Sequence, residues 1–434
     1  MNMPDRTPGQ LPGRLGFAFA DLYDHQRLPA LDASFVDYVE SADDDCASRL
    51  RAARAEPQLL SANDESALIL ELAPHLERFL EMLFGIGAEA ALLAERHSAL
   101  APLYAIKRKF VQRRAALKYT AELARGFDEA DLTREMRNCL GGDFDEVCFA
   151  RHVTTWLRDE SRHGDELDLA MRYAAWALHS VPGRARHATG VLFKVPAKTN
   201  PLQLVHHLER HTEHGATVFR MEESHLRQRP GFELTDPGMN LLAALDHTHY
   251  CIWCHTQGKD SCSKGLREKP GPEKSAAMVL KKSAFGVSLA GCPLEEKISE
   301  FQLAKTQGLS LAALAIIVID NPMVAATGHR ICNDCMKACI YQKQEPVNIP
   351  QAETRTLKDV LELPWGFEIY SLLTRWNPLN LHRPFPRPPS GRKVLIVGLG
   401  PAGFSLAHHL VNDGHTVVGI DGLKIEPLPE RICG

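Results

Sequence analysis

The chain has 434 residues, a formal net charge of −4 and an apolar content typical of a globular protein. This length allows two or three domains, and so small a net charge gives no reason to expect binding to nucleic acid or to an anionic membrane. No apolar run reaches the roughly 20 residues of a membrane-spanning helix, and residues 1–20 lack a signal-peptide pattern. We therefore expect a cytoplasmic protein with no nucleic-acid and no membrane partner.

Residues 1–240 are assigned to a mainly helical domain whose role the sequence does not reveal. Apolar residues recur at spacings of three and four between Leu68 and Leu83, which indicates an amphipathic helix. Cap residues precede it at Ser61–Asp64, and Pro74 is expected to kink or divide it. Further helices are predicted over residues 88–125, 144–158 and 160–179.

Basic side chains cluster between Lys107 and Lys118 in the first of these further helices. Such a cluster can dock an acidic partner, but we interpret it as a solvated helix face. Gly190–Val195 is predicted to be a short strand. His207 and His211 then stand four residues apart, so a helix would place both imidazoles on one face, where they can share a metal ion. We favour an exposed histidine-rich helix.

Cysteines are concentrated in the next segment, which is assigned to a helical domain over residues 241–383. Thiolates are soft ligands that suit iron–sulfur clusters or zinc, and clustered cysteines in a reducing compartment are more often metal ligands or redox groups than disulfides. The scattered Cys46, Cys139, Cys148 and Cys433 are interpreted as single thiols. The seven clustered cysteines are Cys251, Cys254, Cys262, Cys292, Cys332, Cys335 and Cys339.

Zinc is the main alternative to iron and sulfur at these positions. Two zinc sites need eight well-paired ligands, whereas the chain offers seven cysteines with His255 and His329 nearby. The irregular intervals between the cysteines, together with a nucleotide-binding pattern downstream, favour iron–sulfur clusters.

Two helices and a linker complete this part of the chain. Leu309–Ile319 is nearly all apolar and predicts a buried helix, and Ala352–Leu361 also reads as helical. Four prolines between Pro384 and Pro389 predict a stiff linker over residues 384–391.

Residues 392–434 follow the pattern of a partial Rossmann-like βαβ unit. The apolar run Val394–Val397 is typical of a parallel strand covered on both faces. It leads into Gly-Leu-Gly-Pro-Ala-Gly, a helix over residues 404–413, and a second strand, Thr416–Ile420, which ends at Asp421. This order is the fingerprint of a dinucleotide site, and Asp421 is expected to accept hydrogen bonds from ribose hydroxyls.

The remaining residues of the fingerprint have separate expected roles. Gly398 allows the tight turn, Gly400 lets a pyrophosphate approach the backbone, and Gly403 lets helix and strand pack closely. The helix begins at Pro401 and Ala402, where free N–H groups face the phosphate.

The order of these motifs resembles the glutamate synthase small subunit and the amino-terminal part of dihydropyrimidine dehydrogenase, within the pyridine nucleotide-disulfide oxidoreductase superfamily. The resemblance covers about Tyr250 to Asp421 and rests on the cysteines, on Gly291–Leu294, on Pro346–Ile349 and on the glycine fingerprint. It implies a helical domain with two 4Fe–4S clusters, followed by FAD and NADPH domains.

The resemblance also implies which residues hold each cluster. The first would be held by Cys251, Cys254, Cys262 and Cys339. The second would be held by Cys292, Cys332, Cys335 and an oxygen ligand. The family pattern places that ligand at Glu353, with Gln351 as the near alternative and a surface-helix role for Glu353 still open.

The chain departs from the family pattern in three places. An insertion over residues 269–288 interrupts the compact cysteine run, and Asn333 follows Cys332 where the family has proline. The family's FAD domain also continues well past its second strand, and two strands with one helix are too little sheet to stand alone. We expect a truncated copy or a chain completed by a second polypeptide, and we favour truncation.

The sequence therefore predicts a mainly α-helical chain with a helical iron–sulfur domain in the middle and a partial βαβ unit at the carboxyl end. We expect an iron–sulfur flavoprotein oxidoreductase, or its amino-terminal portion, that passes electrons between NAD(P)H, FAD and an acceptor. NAD(P)H would bind a missing domain or a redox partner. Two alternatives stay open, a non-enzymatic electron-transfer or scaffold subunit and a zinc-stabilised interaction module.

Overall fold

The computed structural model describes residues 15–198, 200–202, 205, 208–226, 231–232, 236–268 and 279–422. Within these ranges the chain is mainly helical and carries two small sheets, which confirms the predicted fold class. No helix in these ranges is long and apolar enough to cross a lipid bilayer.

Helices fill most of the chain from residue 28 to residue 186 and are joined by short connections. They are α1 (Leu28–Ala42), α2 (Asp44–Ala55), α3 (Ala62–Phe84), α4 (Gly87–Ile106), a π-helix (Lys107–Ala115), α5 (Ala116–Lys118), α6 (Ala121–Ala124), α7 (Glu129–Leu140), α8 (Glu146–Trp156), α9 (Gly164–His179) and α10 (Val181–Arg186). The helices predicted over residues 144–158 and 160–179 correspond to α8 and α9.

Helix α3 is specified by local signals at both ends. The Ser61 hydroxyl accepts a hydrogen bond from the Asp64 N–H at 3.2 Å, and Gly85 ends the helix in the left-handed region at φ 63°. Pro74 does not divide the helix, which continues to Phe84.

The helix predicted over residues 88–125 is wrong in its second half. After α4 the chain continues as the π-helix Lys107–Ala115, which is followed by only one turn of α-helix. A bend near Tyr119 then precedes α6. The apolar pattern of the sequence cannot distinguish an α-helix, whose backbone hydrogen bonds join residues four apart, from a π-helix, whose hydrogen bonds join residues five apart.

The predicted strand at Gly190–Val195 is also wrong. The N–H groups of Val191 and Leu192 each donate to the Glu146 carboxylate at 3.0 Å, instead of to a neighbouring strand. The side chains of Leu192 and Phe193 are buried in a helical core. A distant carboxylate therefore holds this apolar run in a turn.

The expected histidine-rich helix is a β-hairpin. Strands β1 (Leu208–Glu213) and β2 (Ala216–Met221) pair antiparallel through the turn His214-Gly215, where φ is 49° and 80°. His211 pairs with Val218 in this hairpin, and His206 and His207 lie outside the described residues. Residues four apart along a strand are about 13 Å apart, so the helical metal pair has no basis within the hairpin.

The described residues of the cysteine segment form eight α-helices, several of them short. They are α11 (Leu241–Tyr250), α12 (Ser261–Lys264), α13 (Ile298–Thr306), α14 (Ser310–Asp320), α15 (Val324–Ile331), α16 (Asp334–Ala338), α17 (Ile349–Leu361) and α18 (Gly366–Leu373). Helix α14 is buried from Ser310 to Val318, as its apolar sequence predicts.

The first hydrophobic core joins the two ends of the helical region. It combines buried residues of α1–α3 with those of α13, α14, α17 and α18. Trp376 Nε1 donates to Asp32 Oδ1 at 3.1 Å, and Arg54 holds the same carboxylate with hydrogen bonds of 2.7 and 3.1 Å. This core extends across the expected boundary at residue 240, and the division into domains stays a prediction.

A second core lies between residues 103 and 193, with Leu245 of α11 packed against it. Its largest buried side chains include Phe149, Tyr173 and Trp176. Helix α11 packs against this second core through Leu245, and it also contacts α13 and α17 of the first core. The two cores therefore meet at α11, beside Tyr250 and Cys251.

The βαβ unit consists of β3 (Lys393–Val397), α19 (Pro401–Asn412) and β4 (Thr416–Ile420), and its strands pair in parallel from Lys393↔Thr416 to Val397↔Ile420. Ile396 is buried, whereas Val397 and Val418 are 77% and 53% exposed. The strands are therefore not covered on both faces as predicted, because one helix shields one face of a two-stranded sheet.

Candidate functional site

Four cysteines lie near the ends of α11, α12 and α16, and each interacts electrostatically with at least one other of the four. Cys251 follows α11, Cys262 lies in α12, and Cys339 follows α16, while Cys254 begins a short 3₁₀ turn. Trp253 adopts the left-handed conformation at φ 52°, which turns the chain between Cys251 and Cys254. All four thiols are buried, and we refer to these residues as the first cysteine group.

Burial determines the protonation of the first cysteine group. It raises the pKa of Cys251 to about 12 and that of Cys254 to about 11. The Cys262 thiol donates a hydrogen bond to Cys339, which raises the pKa of Cys262 and lowers that of Cys339 to about 7. Thiols of this kind become ligands only when a cationic centre displaces their protons, so this donor set suits a soft metal centre, whether zinc or an iron–sulfur cluster.

A second cysteine group lies around a cavity of about 210 Å³ between the segment 292–296, α15, α16 and α17. Burial raises the pKa of Cys292 to about 12, and it raises the pKa of Cys335 further. The members of this group are Cys292, Cys332, Cys335 and Glu353, all of which line the cavity.

Glu353 faces a second buried carboxyl group in this cavity, that of Glu296. Burial and the charge of Glu296 raise the pKa of Glu353 well above its ordinary value, and burial raises the pKa of Glu296 to about 7. Two carboxyl groups in one dry cavity cannot both ionise without a cation. Sequence reasoning missed Glu296, although two consecutive acids after Cys292-Pro293 were a signal.

The structure places the near alternative to Glu353 elsewhere. The Gln351 side chain accepts a hydrogen bond from the Met239 N–H at 2.9 Å and does not line the cavity. His255, a possible zinc ligand, has its Nδ1 at 2.5 Å from the Ser299 hydroxyl, and the side chain of His329 is outside the described part of the chain. In that part no three Cys, His, Asp or Glu side chains form a ready site for one metal ion.

The glycine fingerprint has the geometry of a phosphate loop. Gly398 lies at φ 94°, and a Cβ on Gly403 would stand 1.8 Å from the Gly398 carbonyl oxygen, so both positions need glycine. A Cβ on Gly400 would meet nothing within 4 Å, which leaves the space open to a ligand. Pro401 and Ala402 form the first turn of α19, and Asp421 accepts a hydrogen bond from the Leu399 N–H at 2.5 Å.

The fingerprint helix and the second cysteine group share one cavity. Ser405 and His409 of α19 line the same space as Cys292, Cys332 and Glu353. The βαβ unit is held there by an ion pair between Arg383 and Asp413 and by a hydrogen bond from Asn412 to the Thr374 carbonyl at 3.1 Å. Sequence reasoning did not foresee this contact, because it depends on how the linker folds back.

Comparison with known proteins gives one family and several partial similarities. The RP005 N-terminal alpha-helical domain family matches residues 14–85. The uncharacterized protein RP005 of Rickettsia prowazekii (strain Madrid E) is 32% identical over 290 residues, which are 65% of this chain and 94% of RP005. The uncharacterized protein RP006 of the same strain is 65% identical over 110 residues, which are 25% of this chain.

A third relative agrees with the resemblance inferred from the motifs. The glutamate synthase [NADPH] small chain of Mycobacterium tuberculosis (strain ATCC 25618 / H37Rv) is 30% identical over 131 residues, which are 29% of this chain. The chain covers 16% of the length of RP006 and 23% of the length of this small chain. No solved structure matches the chain.

Proposed function

The chain belongs to the family of the Rickettsia prowazekii protein RP005, and from that premise we propose that it is the iron–sulfur part of a flavin-dependent oxidoreductase. The partial similarity to a glutamate synthase small chain supports an oxidoreductase in general terms. The proposal adds two 4Fe–4S clusters, an FAD and electron transfer between them.

The observation that carries the proposal is the cavity shared by the second cysteine group and α19. The amino terminus of α19 is the phosphate-binding end of the fingerprint, and Ser405 and His409 lie one and two turns further along the same helix. A dinucleotide at Gly400 would thus be bound by the helix that also borders Cys332. Electron transfer needs two redox groups that lie close together, as a dinucleotide at Gly400 and a cluster at Cys332 would. A zinc-stabilised interaction module has no such requirement.

The side chains of the two groups have distinct parts in this proposal. When bound, an iron–sulfur cluster exchanges single electrons and a flavin accepts hydride. The first cysteine group would hold one cluster, and the second group, with Glu353 as its oxygen ligand, would hold the other. Burial excludes water from the thiols of Cys251 and Cys335 and disfavours their thiolate forms. These thiols would therefore ionise only with a bound cation beside them.

The exposed apolar side chains on the sheet of the βαβ unit support the proposal that further structure completes the flavin site. Leu395, Val397 and Val418 present apolar side chains to solvent, although parallel strands are usually covered. We propose that further strands, from this polypeptide or from a second subunit, pair with this sheet and complete the FAD and NAD(P)H domains. The cytoplasm is the compartment proposed for the assembly, because its reducing conditions keep the seven thiols available.

Anaerobic purification of the chain, followed by iron, sulfide and zinc assays and an absorbance spectrum, tests the proposal. We expect a brown protein with about eight iron atoms for two four-iron clusters. Cys335→Ser is expected to lose about half of the iron, whereas Cys148→Ser, a change at a half-buried cysteine outside both groups, keeps all of it.

Two results would contradict the proposal. A colourless protein with stoichiometric zinc would favour the interaction module. Full iron content with no retention of added FAD, even when a glutamate synthase-type flavin domain is supplied as a second polypeptide, would favour a non-enzymatic electron-transfer subunit.

A further inference from the structure

A cavity of about 270 Å³ lies where the two hydrophobic cores meet, away from the cavity that contacts α19. One wall is the π-helix with Lys194, and the other is α11 with the segment that follows Cys339. Its volume is slightly below that of a typical small-molecule site. From its lining we infer that this cavity binds a small planar organic carboxylate.

The π-helix concentrates positive charge on the cavity wall. Lys107, Arg108 and Arg113 all line the cavity. In a π-helix the hydrogen bonds run to the fifth residue, so side chains five apart stack on one face. With 3.6 residues per turn, an α-helix would direct Arg113 away from Arg108. This rare geometry often accompanies functional sites, and here it directs both guanidinium groups to one space.

The acidic residues in the cavity do not balance these cations. Asp246 is held by Lys107, whose Nζ lies 2.6 Å from Oδ2, and both side chains are largely buried. Glu345 is the other acidic side chain of the lining. Within the described residues neither Arg108 nor Arg113 forms an ion pair. Two guanidinium groups that can each bind a carboxylate with two hydrogen bonds therefore remain available.

Aromatic rings make up much of the remaining lining. Tyr250 stacks on Tyr341 at 4.4 Å, and Tyr104 stacks on His249 at 4.7 Å, so the cavity is walled by flat rings. Flat apolar walls beside two free guanidinium groups suit a planar carboxylate better than a hydrated phosphate.

His247 adds one oriented donor to the site. Its Nδ1 accepts a hydrogen bond from the Asn348 N–H at 3.1 Å, and burial lowers its pKa. A neutral ring with its Nδ1 occupied in this way carries its proton on Nε2. The cavity therefore offers charged donors on one side and a neutral donor on the other.

The cavity lies beside the first cysteine group. Tyr250 directly precedes Cys251, and Tyr341 follows Cys339 by two residues. The binding of a carboxylate in this cavity does not rest on the proposed function. Only a redox role does, in which the bound carboxylate is the electron acceptor or the group that anchors the acceptor. The substrate class assigned to this site is thus a small conjugated or aromatic carboxylic acid.

Calorimetric titration of the whole purified chain with benzoate, cyclohexanecarboxylate and inorganic phosphate tests the inference at low ionic strength. We expect saturable binding of benzoate, with cyclohexanecarboxylate and phosphate at least fivefold weaker. The double variant Arg108→Gln/Arg113→Gln should weaken benzoate binding at least tenfold. The matched variant Lys109→Gln/Arg114→Gln removes the same charge from the same π-helix outside the cavity and should change it less than twofold.

Three outcomes would overturn the inference. They are equal weakening by both double variants, tighter binding of phosphate than of benzoate, and no saturable binding of benzoate to the unaltered chain. Protection of Arg108 and Arg113 from phenylglyoxal by benzoate, measured by mass spectrometry on the unaltered chain, gives the same decision without a variant. Because these measurements report binding, they do not depend on iron content or on flavin.

Discussion

Lys305 and Asp359 form an ion pair in which both side chains are shielded from solvent, with exposed fractions of 1% and 0%. The pair links α13 to α17 inside the first core. Arg355 Nε also donates to Asp359, at 2.7 Å, and His97 Nε2 lies 3.6 Å from it. Although burial alone would raise the pKa of Asp359, the charges of Lys305 and Arg355 and a hydrogen bond from His97 hold it well below its ordinary value.

Replacing Asp359 by asparagine should destabilise the chain strongly. Lys305 would lose the charge of its ion-pair partner, and a buried cation without its counter-charge costs about 3–5 kcal/mol. The measurement is the free energy of unfolding in urea. Asp334→Asn, which removes an exposed partner of Lys337, is the control and should cost less than about 1 kcal/mol. Equal effects of the two changes would contradict this account of the buried pair.

Glu77 should make the stability of the chain fall as pH rises. Its carboxylate accepts a hydrogen bond from the Ala312 N–H at 2.8 Å, and burial raises its pKa from 4.5 to about 7. Between these two values the folded chain holds a proton that the unfolded chain releases. The stabilisation is therefore complete below pH 4.5 and lost above pH 7.

Glu77→Gln removes this titration and keeps an acceptor for Ala312. The loss of unfolding free energy between pH 5 and pH 8 should be smaller in the variant by up to about 3 kcal/mol. Urea unfolding at the two pH values measures it. Glu95→Gln, at an exposed position, should leave the pH dependence unchanged, and an unchanged slope in Glu77→Gln would show that Glu77 is ionised in the fold.

Changes at Glu353 and Gln351 should separate the two proposed oxygen ligands of the second cluster. Glu353→Ala is expected to lower the iron content from about eight to about four atoms, since the second cysteine group would lose its fourth ligand. Glu353→Gln keeps an oxygen and should keep the iron. Iron and sulfide assays on anaerobic protein measure both.

Gln351→Ala is the control for this pair of variants. Gln351 bonds to the Met239 N–H outside the cavity, so its removal should leave the iron content unchanged. Loss of iron in Gln351→Ala with full iron in Glu353→Ala would reverse the assignment.

Gly403 and Gly400 should respond differently to the same methyl group. A Cβ on Gly403 would collide with the Gly398 carbonyl oxygen, so Gly403→Ala must displace α19 from β3. Hydrogen exchange of the α19 amides should then become at least tenfold faster. Gly400→Ala meets no atom within 4 Å and should leave this exchange unchanged while reducing the affinity for FAD. Equal exchange in both variants would contradict the packing role of Gly403.

The sequence was informative where a structure depends on neighbouring residues. The Ser61 cap, the Gly85 end and the apolar repeat between them define α3 without help from the rest of the chain. The strand–turn–helix–strand order around Gly398 was predictable for the same reason. Gly398 adopts a positive φ and Gly403 has no room for a Cβ, and both requirements arise from neighbouring residues.

Errors occurred where distant residues decide the conformation. The apolar run at Val191 has the sequence pattern of a strand. Its conformation is instead set by the distant Glu146 carboxylate, which accepts hydrogen bonds from the N–H groups of Val191 and Leu192. The grouping of Cys339 with Cys251 came from a family resemblance, and no spacing rule would have given it. Only the fold shows that Glu296 faces Glu353, because it brings α17 against the segment that precedes α13.

The hydrogen bond between Asp32 and Trp376 joins residues 344 positions apart, and this separation has a consequence for biosynthesis. The first core cannot close until the ribosome has released α18, about 100 residues after Cys262 has emerged. At 5–20 residues per second the first thiols are exposed to solvent for several seconds or longer. The thiols of the first cysteine group thus lack the protection of the first core until most of the chain has been synthesised.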